Sequence, residues 1–296
     1  MLPSSLQRAA RATLVAFLLT SGSAAAQATS ASSAPDTLSR IKAAKQIEIA
    51  FSGDSLPFSY VADDNRPAGF SIDLCRRVIA GIGRSVGIPD LKANWRVGTA
   101  AERVAMVASG KVDLDCANTS ATRTRMKAVD FSLPIFVDGG SVLVRVKSKL
   151  ARLADLRGKR IAVIGGTTTE EAIVRAMNAL GGSAILVPVR DGAEGMAQLE
   201  RGGVDGYAGD RVVLTGLRQR AARVADYTFI AGDFSYEPYA LALGRDDPDF
   251  RLAVNRALAG LYRSGDIDPI FQRWLGGLGR PGPLLHAMFY LSTLPE

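Results

Sequence analysis

The segment Arg160–Met177, RIAVIGGTTTEEAIVRAM, joins a strand pattern to a helix pattern through two glycines and three threonines. Arg160–Ile164 is a short, mostly apolar run, which is typical of a buried strand. Thr167 and its neighbours can form a turn and a helix cap, and Ile173 and Met177 then follow at helical spacing. The segment therefore predicts a strand that leads directly into a helix, the unit from which α/β folds are built.

The same alternation of strand and helix patterns continues on both sides of this segment, so an α/β fold is expected. One helix is predicted from a capping Ser71 through Ile82. Other helices are predicted around Val104–Ala108, Met196–Leu199 and Phe250–Leu261. Further strands are predicted at Ile47–Phe51, Val112–Cys116, Ser141–Val146, Ala184–Val189, Val204–Tyr207 and Tyr239–Leu243.

The N-terminus has the pattern of an export signal. A basic start is followed by an apolar run, Ala12–Leu19, and then by small residues. This run is shorter than the roughly 20 residues that span a bilayer. We therefore expect residues 1–26 to be a signal peptide, cleaved near Ala26 or Ala28, and residues 27–36 to be a flexible N-terminus. The mature protein is expected to be soluble in the periplasm.

The charge of the chain argues against a nucleic-acid partner. The 296 residues carry a formal net charge of +7, and removal of Arg8 and Arg11 with the signal peptide leaves 7 − 2 = +5. Lysines and arginines alternate with acids, as in Arg245-Asp-Asp247, and form no basic block. A solvated surface explains this balance, and we expect no nucleic-acid binding.

Cys75 and Cys116 are the two cysteines, and His286 is the one histidine of the sequence. Export would place the cysteines in an oxidising compartment, where they form either a disulfide or two buried thiols. Two distant cysteines without a nearby histidine do not form an ordinary zinc site, so we expect no metal and no cofactor.

Several polar residues fall where strands end and could hold a zwitterion. A carboxylate needs a guanidinium and N–H donors, whereas an ammonium group needs a carboxylate. The loop from Asn118 through Ser120 leads to Arg125, Gly165–Thr168 opens a helix, and Asp210 follows a strand pattern. Each signal alone is weak, because capping or a solvated charge is the commoner role of such residues.

From Thr37 onwards the chain resembles the polar amino-acid-binding periplasmic proteins, and within them the glutamate/aspartate-binding branch. The stretch Thr119–Phe136 is the most specific match, and the tail Leu284–Pro295 also resembles that branch. The other matching motifs are Pro57–Tyr60, Gly69–Asp73, Asp113–Cys116, Gly166–Thr168, Gly203–Asp205 with Asp210, and Arg245–Phe250.

This resemblance implies a type II periplasmic-binding-protein fold, in which two α/β lobes are joined by two crossovers. The crossovers would lie near 137–141 and 236–239. Lobe 1 would comprise residues 37–138 and 237–296, and lobe 2 residues 139–236. The implied function is capture of a free α-amino acid by a monomer and its delivery to an inner-membrane ABC permease.

The resemblance also implies roles for individual residues. Arg125 would hold the ligand α-carboxylate, and Asp210 with the Asn118 region would receive the α-ammonium. Ser120 and Thr168 would assist at the carboxylate, and Thr167 would also belong to the ligand-binding residues.

The positions that contact the ligand side chain depart from the acidic-ligand pattern. Ser52 replaces an arginine of that branch, Ala100 replaces a serine, and 191–192 holds no histidine. Loss of charge-assisted hydrogen bonds, each worth about 1.5–3 kcal/mol, should weaken selectivity for glutamate or aspartate. Either Arg123 or Arg190 compensates, or the ligand side chain is neutral and polar. We expect the neutral ligand.

Two other function classes remain open from the sequence. Binding-protein folds can carry a cyclohexadienyl-dehydratase-like activity, for which Asp54 or Glu170 would have to supply the proton. A soluble sensor module would have the same ligand site as a transport protein.

Overall fold

The computed structural model describes residues 36–293 and Pro295. The predicted signal peptide, residues 1–26, and residues 27–35 of the predicted flexible N-terminus lie outside the described residues. The helices are α1 (Thr37–Ala44), α2 (Phe70–Val86), α3 (Ala100–Ala108), α4 (Thr168–Ala179), α5 (Gly192–Arg201), α6 (Arg211–Gln219), α7 (Pro248–Ser264), α8 (Ile267–Leu275) and α9 (Pro283–Leu291). Within the described ranges, no helix combines the length and the apolar character needed to cross a bilayer.

The strands are mostly short, and most of them alternate with helices along the chain. They are β1 (Gln46–Phe51), β2 (Asp54–Ser55), β3 (Ser59–Val61), β4 (Pro67–Ala68), β5 (Lys92–Val97), β6 (Leu114–Asp115), β7 (Asp130–Asp138), β8 (Gly140–Arg145), β9 (Arg160–Ile164), β10 (Ile185–Val189), β11 (Gly206–Asp210), β12 (Tyr227–Phe229) and β13 (Glu237–Leu243). The predicted α/β class is confirmed.

Two five-stranded sheets organise these elements. The first has the order β5-β1-β6-β13-β7, and the second has the order β10-β9-β11-β8-β12. In each sheet the first three strands of this order pair in parallel, and the fourth strand, β13 or β8, runs antiparallel to both of its neighbours. Two neighbouring parallel strands must be joined by a segment that returns along the sheet, and helices form these connections here. We call the parts of the chain that carry the first and second sheets lobe 1 and lobe 2.

The chain passes between the two sheets twice. Gly139 separates β7 of the first sheet from β8 of the second, and residues 230–236 lead from β12 back to β13. At the first passage the Asp138 carboxylate accepts hydrogen bonds from Gly139 N at 2.8 Å and from Val212 N at 3.1 Å. This buried side chain at the end of β7 thereby holds the backbone of the passage residue and the start of α6 in lobe 2.

Helix α2 begins differently from the prediction. Ser71 was expected to cap it, but the helix starts at Phe70 after Gly69, and Ser71 is buried in its first turn. Gly69 has φ +126°, and a Cβ there would lie 2.2 Å from the carbonyl oxygen of Phe58. Glycine is needed because this backbone region is open to it and closed to bulkier residues. The Ser71 hydroxyl has no hydrogen-bond partner among the described residues.

The core of lobe 1 contains a disulfide. Cys75, on the inner face of α2, is bonded to Cys116, which follows β6, with their Cα atoms 6.0 Å apart. Both residues are fully buried among apolar side chains. The bond therefore fastens the first long helix directly to the sheet, at the end where the loop Asn118–Arg125 begins.

Candidate functional site

A cavity of about 520 Å³ lies where residues of lobe 1 meet residues of lobe 2. Its walls come from the loop after β1, the start of α3, the loop after β6, the first turn of α4 and the end of β11. The structure brings all the sequence-predicted ligand residues to this cavity. They are Ser52, Ala100, Asn118, Ser120, Arg125, Thr167, Thr168 and Asp210.

Arg125 presents a partly buried guanidinium to the cavity. Its Nη1 donates to the carbonyl oxygen of Ser120 at 2.9 Å, which orients the side chain. Burial lowers the pKa of Arg125, as does neighbouring Arg103, while nearby acidic groups oppose this effect. Within the described chain, Arg125 forms no ion pair. Its remaining N–H groups are therefore available to an anion.

Asp210 supplies the opposite charge. Its Oδ1 accepts from the Thr169 hydroxyl at 2.8 Å, and its Oδ2 accepts from the Tyr239 hydroxyl. Burial, followed by the charge of Glu237, raises the pKa of Asp210 to about 6. Asp210 stands at the N-terminus of α6 but makes no capping hydrogen bond, so the commoner capping role does not explain it.

The resemblance implies that Asp210 receives a ligand ammonium, and in that role its proton uptake should control the affinity. Because the protonated carboxyl cannot pair with a cation, binding should be strongest above pH 6 and weaken as the pH falls through about 6. Asp138, Glu237 and Tyr239 surround this carboxylate and will shape the profile. Calorimetric titrations between pH 5 and pH 8 should show affinity falling about tenfold per pH unit below the midpoint. An affinity that is constant across this range would contradict this role for Asp210.

Glu237, which the sequence analysis did not single out, gathers hydroxyl groups from both lobes. Its Oε2 accepts from Ser120 Oγ at 2.6 Å and from Thr168 Oγ1 at 2.9 Å, and its Oε1 accepts from Ser235 Oγ at 2.6 Å. Glu237 is only 2% exposed. A hydroxyl has one proton, so Ser120 and Thr168 offer only lone pairs to the cavity in this conformation. They can donate to a ligand carboxylate only after releasing Glu237.

Thr167 acts as a helix cap in this structure. Its hydroxyl accepts from Glu170 N at 3.3 Å and donates to the carbonyl oxygen of Ile164 at 2.8 Å. Gly166 N, one of the free donors expected at this turn, donates to Glu170 Oε2 at 2.8 Å. Gly166 N is therefore already bonded within the turn, and Glu170 has a capping role.

Arg103 is a buried cation that no motif in the sequence marks as a site residue. It is 3% exposed, lines the cavity, and pairs through Nε with Asp115 Oδ1 at 2.9 Å. Its other nitrogens donate to Gly98 O at 2.9 Å and to Thr119 Oγ1 at 3.3 Å. The sequence does contain one signal for this buried cation. Asp115 stands at the end of a buried strand, and a buried carboxylate needs a cationic partner.

The residues near Ser52 form an acidic part of the wall. Asp54 Oδ1 accepts from Ser52 Oγ at 3.2 Å, and Oδ2 accepts from Gly192 N of lobe 2 at 2.9 Å. The Asp54 carboxylate therefore links the lobes directly. Asp191 also lines the cavity and caps α5 by accepting from Glu194 N at 2.8 Å.

The two arginines considered as replacements for the missing cation occupy different places. Arg190 reaches the cavity edge, but its side chain is 85% exposed and pairs with Glu194 at 2.9 Å. Arg123 is exposed and lines an adjoining hollow of about 770 Å³, which shares Arg125, Thr167 and Thr168 with the cavity but has Arg123 outside the cavity lining. In this conformation neither arginine places an unpaired guanidinium inside the site.

Known proteins share the sequence pattern of this chain. Residues 47–277 match the family model of bacterial extracellular solute-binding proteins, family 3. The chain belongs to this family. The predicted membership is thereby confirmed, and the family description implies that this solute-binding protein works outside the cytoplasm.

Individual relatives of this solute-binding protein cover most of its length. An L-glutamate/L-aspartate-binding protein of Pseudomonas aeruginosa is 30% identical over 80% of this chain and 79% of its own. A glutamate/aspartate import solute-binding protein of Escherichia coli is 26% identical over 88% and 86%. The crystal structure of a solute receptor for L-cysteine from Neisseria gonorrhoeae matches with a TM-score of 0.74 and 25% identity, over 84% of this chain and 98% of that one. The type II periplasmic-binding-protein fold is confirmed.

Proposed function

We propose that this solute-binding protein captures a free α-amino acid in the cavity between its lobes and delivers it to an ABC importer. The observation that carries the proposal is the pair of opposite, partly buried charges on the cavity wall, Arg125 and Asp210. Within the described part of the chain, neither is matched by an ion pair. A buried charge without a partner is costly, and a zwitterion supplies partners for both.

The orientation of the two charged groups of the ligand follows from the charges of Arg125 and Asp210. The Arg125 guanidinium binds the α-carboxylate, because its planar fork matches a carboxylate geometrically. Asp210 accepts the α-ammonium, assisted by Asn118, which lines the same cavity. Ser120 and Thr168 join at the carboxylate when their hydroxyl protons leave Glu237. The amino-acid specificities in the names of the relatives support the same ligand class.

A binding role is favoured over catalysis by the proton donors that the cavity offers. Glu170 bonds Gly166 N and is absent from the residues that line the cavity. Asp54 is engaged by Gly192 N and Ser52. A dehydratase needs a proton donor placed over its substrate; Glu170 lies outside the cavity lining, and Asp54, although it lines the cavity, acts there as an acceptor of hydrogen bonds.

The cellular setting follows from the same proposal. A cleaved leader near Ala26 or Ala28 would release the protein into the periplasm, where it works as a monomer. Its partner would be an inner-membrane permease complex. The loops of both lobes that close the cavity would form the surface recognised by that complex.

A thermal-shift screen tests the proposal, because a ligand that binds only the folded state raises the melting temperature. The protein is screened against each common amino acid and against sugars and simple carboxylates as matched small solutes. We expect stabilisation by one or a few amino acids only. A melting temperature that no amino acid raises, or that sugars raise equally, would contradict the proposal.

A further inference from the structure

Tyr207 carries a polar group that the fold leaves without a partner. It lies on β11, is 2% exposed, and lines the cavity. Its ring packs on Gly195 of α5, where a Cβ would lie 2.5 Å from Cζ. The hydroxyl forms no hydrogen bond with any residue that the structure describes. The side chain is buried and its hydroxyl is unpaired on the cavity wall, so this hydroxyl is available to an occupant of the cavity.

The surroundings of Tyr207 are acidic. Burial raises its pKa, and the charges of Asp54, Asp191 and Asp210 raise it further, so the hydroxyl keeps its proton. Asp54 and Asp191 belong to different lobes and both line the cavity. Asp210 is reserved for the ligand ammonium in the proposed function. We call Tyr207, Asp54 and Asp191 together the acidic wall.

The cations near the cavity do not neutralise this wall. Arg103 is paired with Asp115, and Arg190 is paired with Glu194. Arg125 is assigned to the ligand α-carboxylate. No ion pair to Asp54 is found among residues 36–293, and its oxygens accept only the two hydrogen bonds from Gly192 and Ser52. A carboxylate offers about four acceptor sites, so roughly two remain open to a ligand.

We infer that Tyr207 and Asp54 select the ligand side chain, and that they favour a side chain with N–H donors, a carboxamide or a guanidinium, over a carboxylate. The inference rests on the proposed function. An N–H group can donate to an open lone pair of Asp54 and to the Tyr207 oxygen. A ligand carboxylate would instead face the Asp54 charge in a partly buried site, where like charges repel strongly.

Competition binding tests this selection, with glutamine, arginine, glutamate and norvaline as ligands. Glutamine and arginine distinguish the two N–H sources, and norvaline has a similar length but no polar end. We expect glutamine or arginine to bind the parent at least about tenfold more tightly than glutamate, the scale of one charge-assisted hydrogen bond. Glutamate that binds as tightly as both would overturn the inference.

Two substitutions test whether Asp54 and Tyr207 cause this ligand selectivity. Asp54→Asn keeps an oxygen for Gly192 N but removes the charge, so it should shrink the preference over glutamate at least about fivefold. Tyr207→Phe should weaken the preferred ligand about fivefold and leave norvaline unchanged. Asp64→Asn makes the same charge change on an exposed side chain outside the cavity, and Tyr227→Phe makes the same deletion in the core of lobe 2. Both controls should behave as the parent.

The outcomes separate the inference from the proposed function. A parent that binds no amino acid overturns both. A parent that binds amino acids, but whose selectivity is unchanged by Asp54→Asn and Tyr207→Phe, overturns only the inference. Equal losses for norvaline and for the preferred ligand would show that the variants damage the site in general, and would also overturn it.

Discussion

Arg125→Ala is expected to abolish amino-acid binding while leaving the protein folded. The loss should exceed about 2 kcal/mol, because removing one partner strands the ligand carboxylate in a desolvated site. Arg125 begins a short helical turn, and its side-chain hydrogen bond to Ser120 O is local. Folding should therefore change little. Calorimetric titration with the preferred amino acid, together with a thermal melt, measures both quantities.

Asp210→Asn tests the other pole of the ligand. Asparagine keeps the shape and an acceptor oxygen for Thr169, but it cannot neutralise an ammonium group, so a loss of the same size is expected. The matched controls are Arg123→Ala and Asp226→Asn, which change exposed charges away from the cavity. They should bind like the parent. Parent-like binding by either site variant would refute its assigned role.

Removal of the disulfide is expected to have the largest effect on stability. Cys75 and Cys116 are 41 residues apart, and closing a loop of that length restricts the unfolded chain by about 4 kcal/mol in the chain-entropy account. The double variant Cys75→Ala/Cys116→Ala avoids burying new polar groups at two fully buried sites. We expect its free energy of unfolding to fall by about that amount.

Urea unfolding of the double variant and of the parent measures this loss. Parent protein unfolded in the presence of a reductant serves as the control, because it should lose a similar amount without any substitution. Ligand affinity should change far less than stability, since neither cysteine lines the cavity. A loss below about 1 kcal/mol would show that the bond contributes little beyond the packing of α2 on the sheet.

Local patterns in the sequence were sufficient for much of the fold. The segment Arg160–Met177 does form a strand followed by a helix, because its apolar spacing and its capping threonine act within a few residues. The predicted start of α2 was wrong. Phe58 lies so close to Gly69 that only glycine fits there, and this contact is not apparent from the residues around the helix start. Helix α6 was not predicted, although Leu214 and Leu217 give it a buried face.

The site residues, like the fold, were predicted where local patterns suffice and were missed where residues distant in sequence meet. Residues on the predicted loops and strand ends did reach the cavity, since the ends of neighbouring strands meet at one sheet edge. Glu237 was missed because its partner Ser120 is 117 residues away and only the return of β13 brings them together. The sequence pattern around Tyr207 predicts only a strand, because the lack of a partner for its hydroxyl depends on the packing against Gly195 and on the cavity.

The most direct test of the zwitterion site is a titration of the parent protein with its preferred amino acid and two analogues of that ligand. One analogue lacks the α-amino group, and the other carries an α-carboxamide in place of the α-carboxylate. Capture by Arg125 and Asp210 predicts tight binding of the amino acid and losses of at least about thirtyfold for each analogue. An analogue that binds as tightly as the amino acid itself would contradict the assignment of that pole.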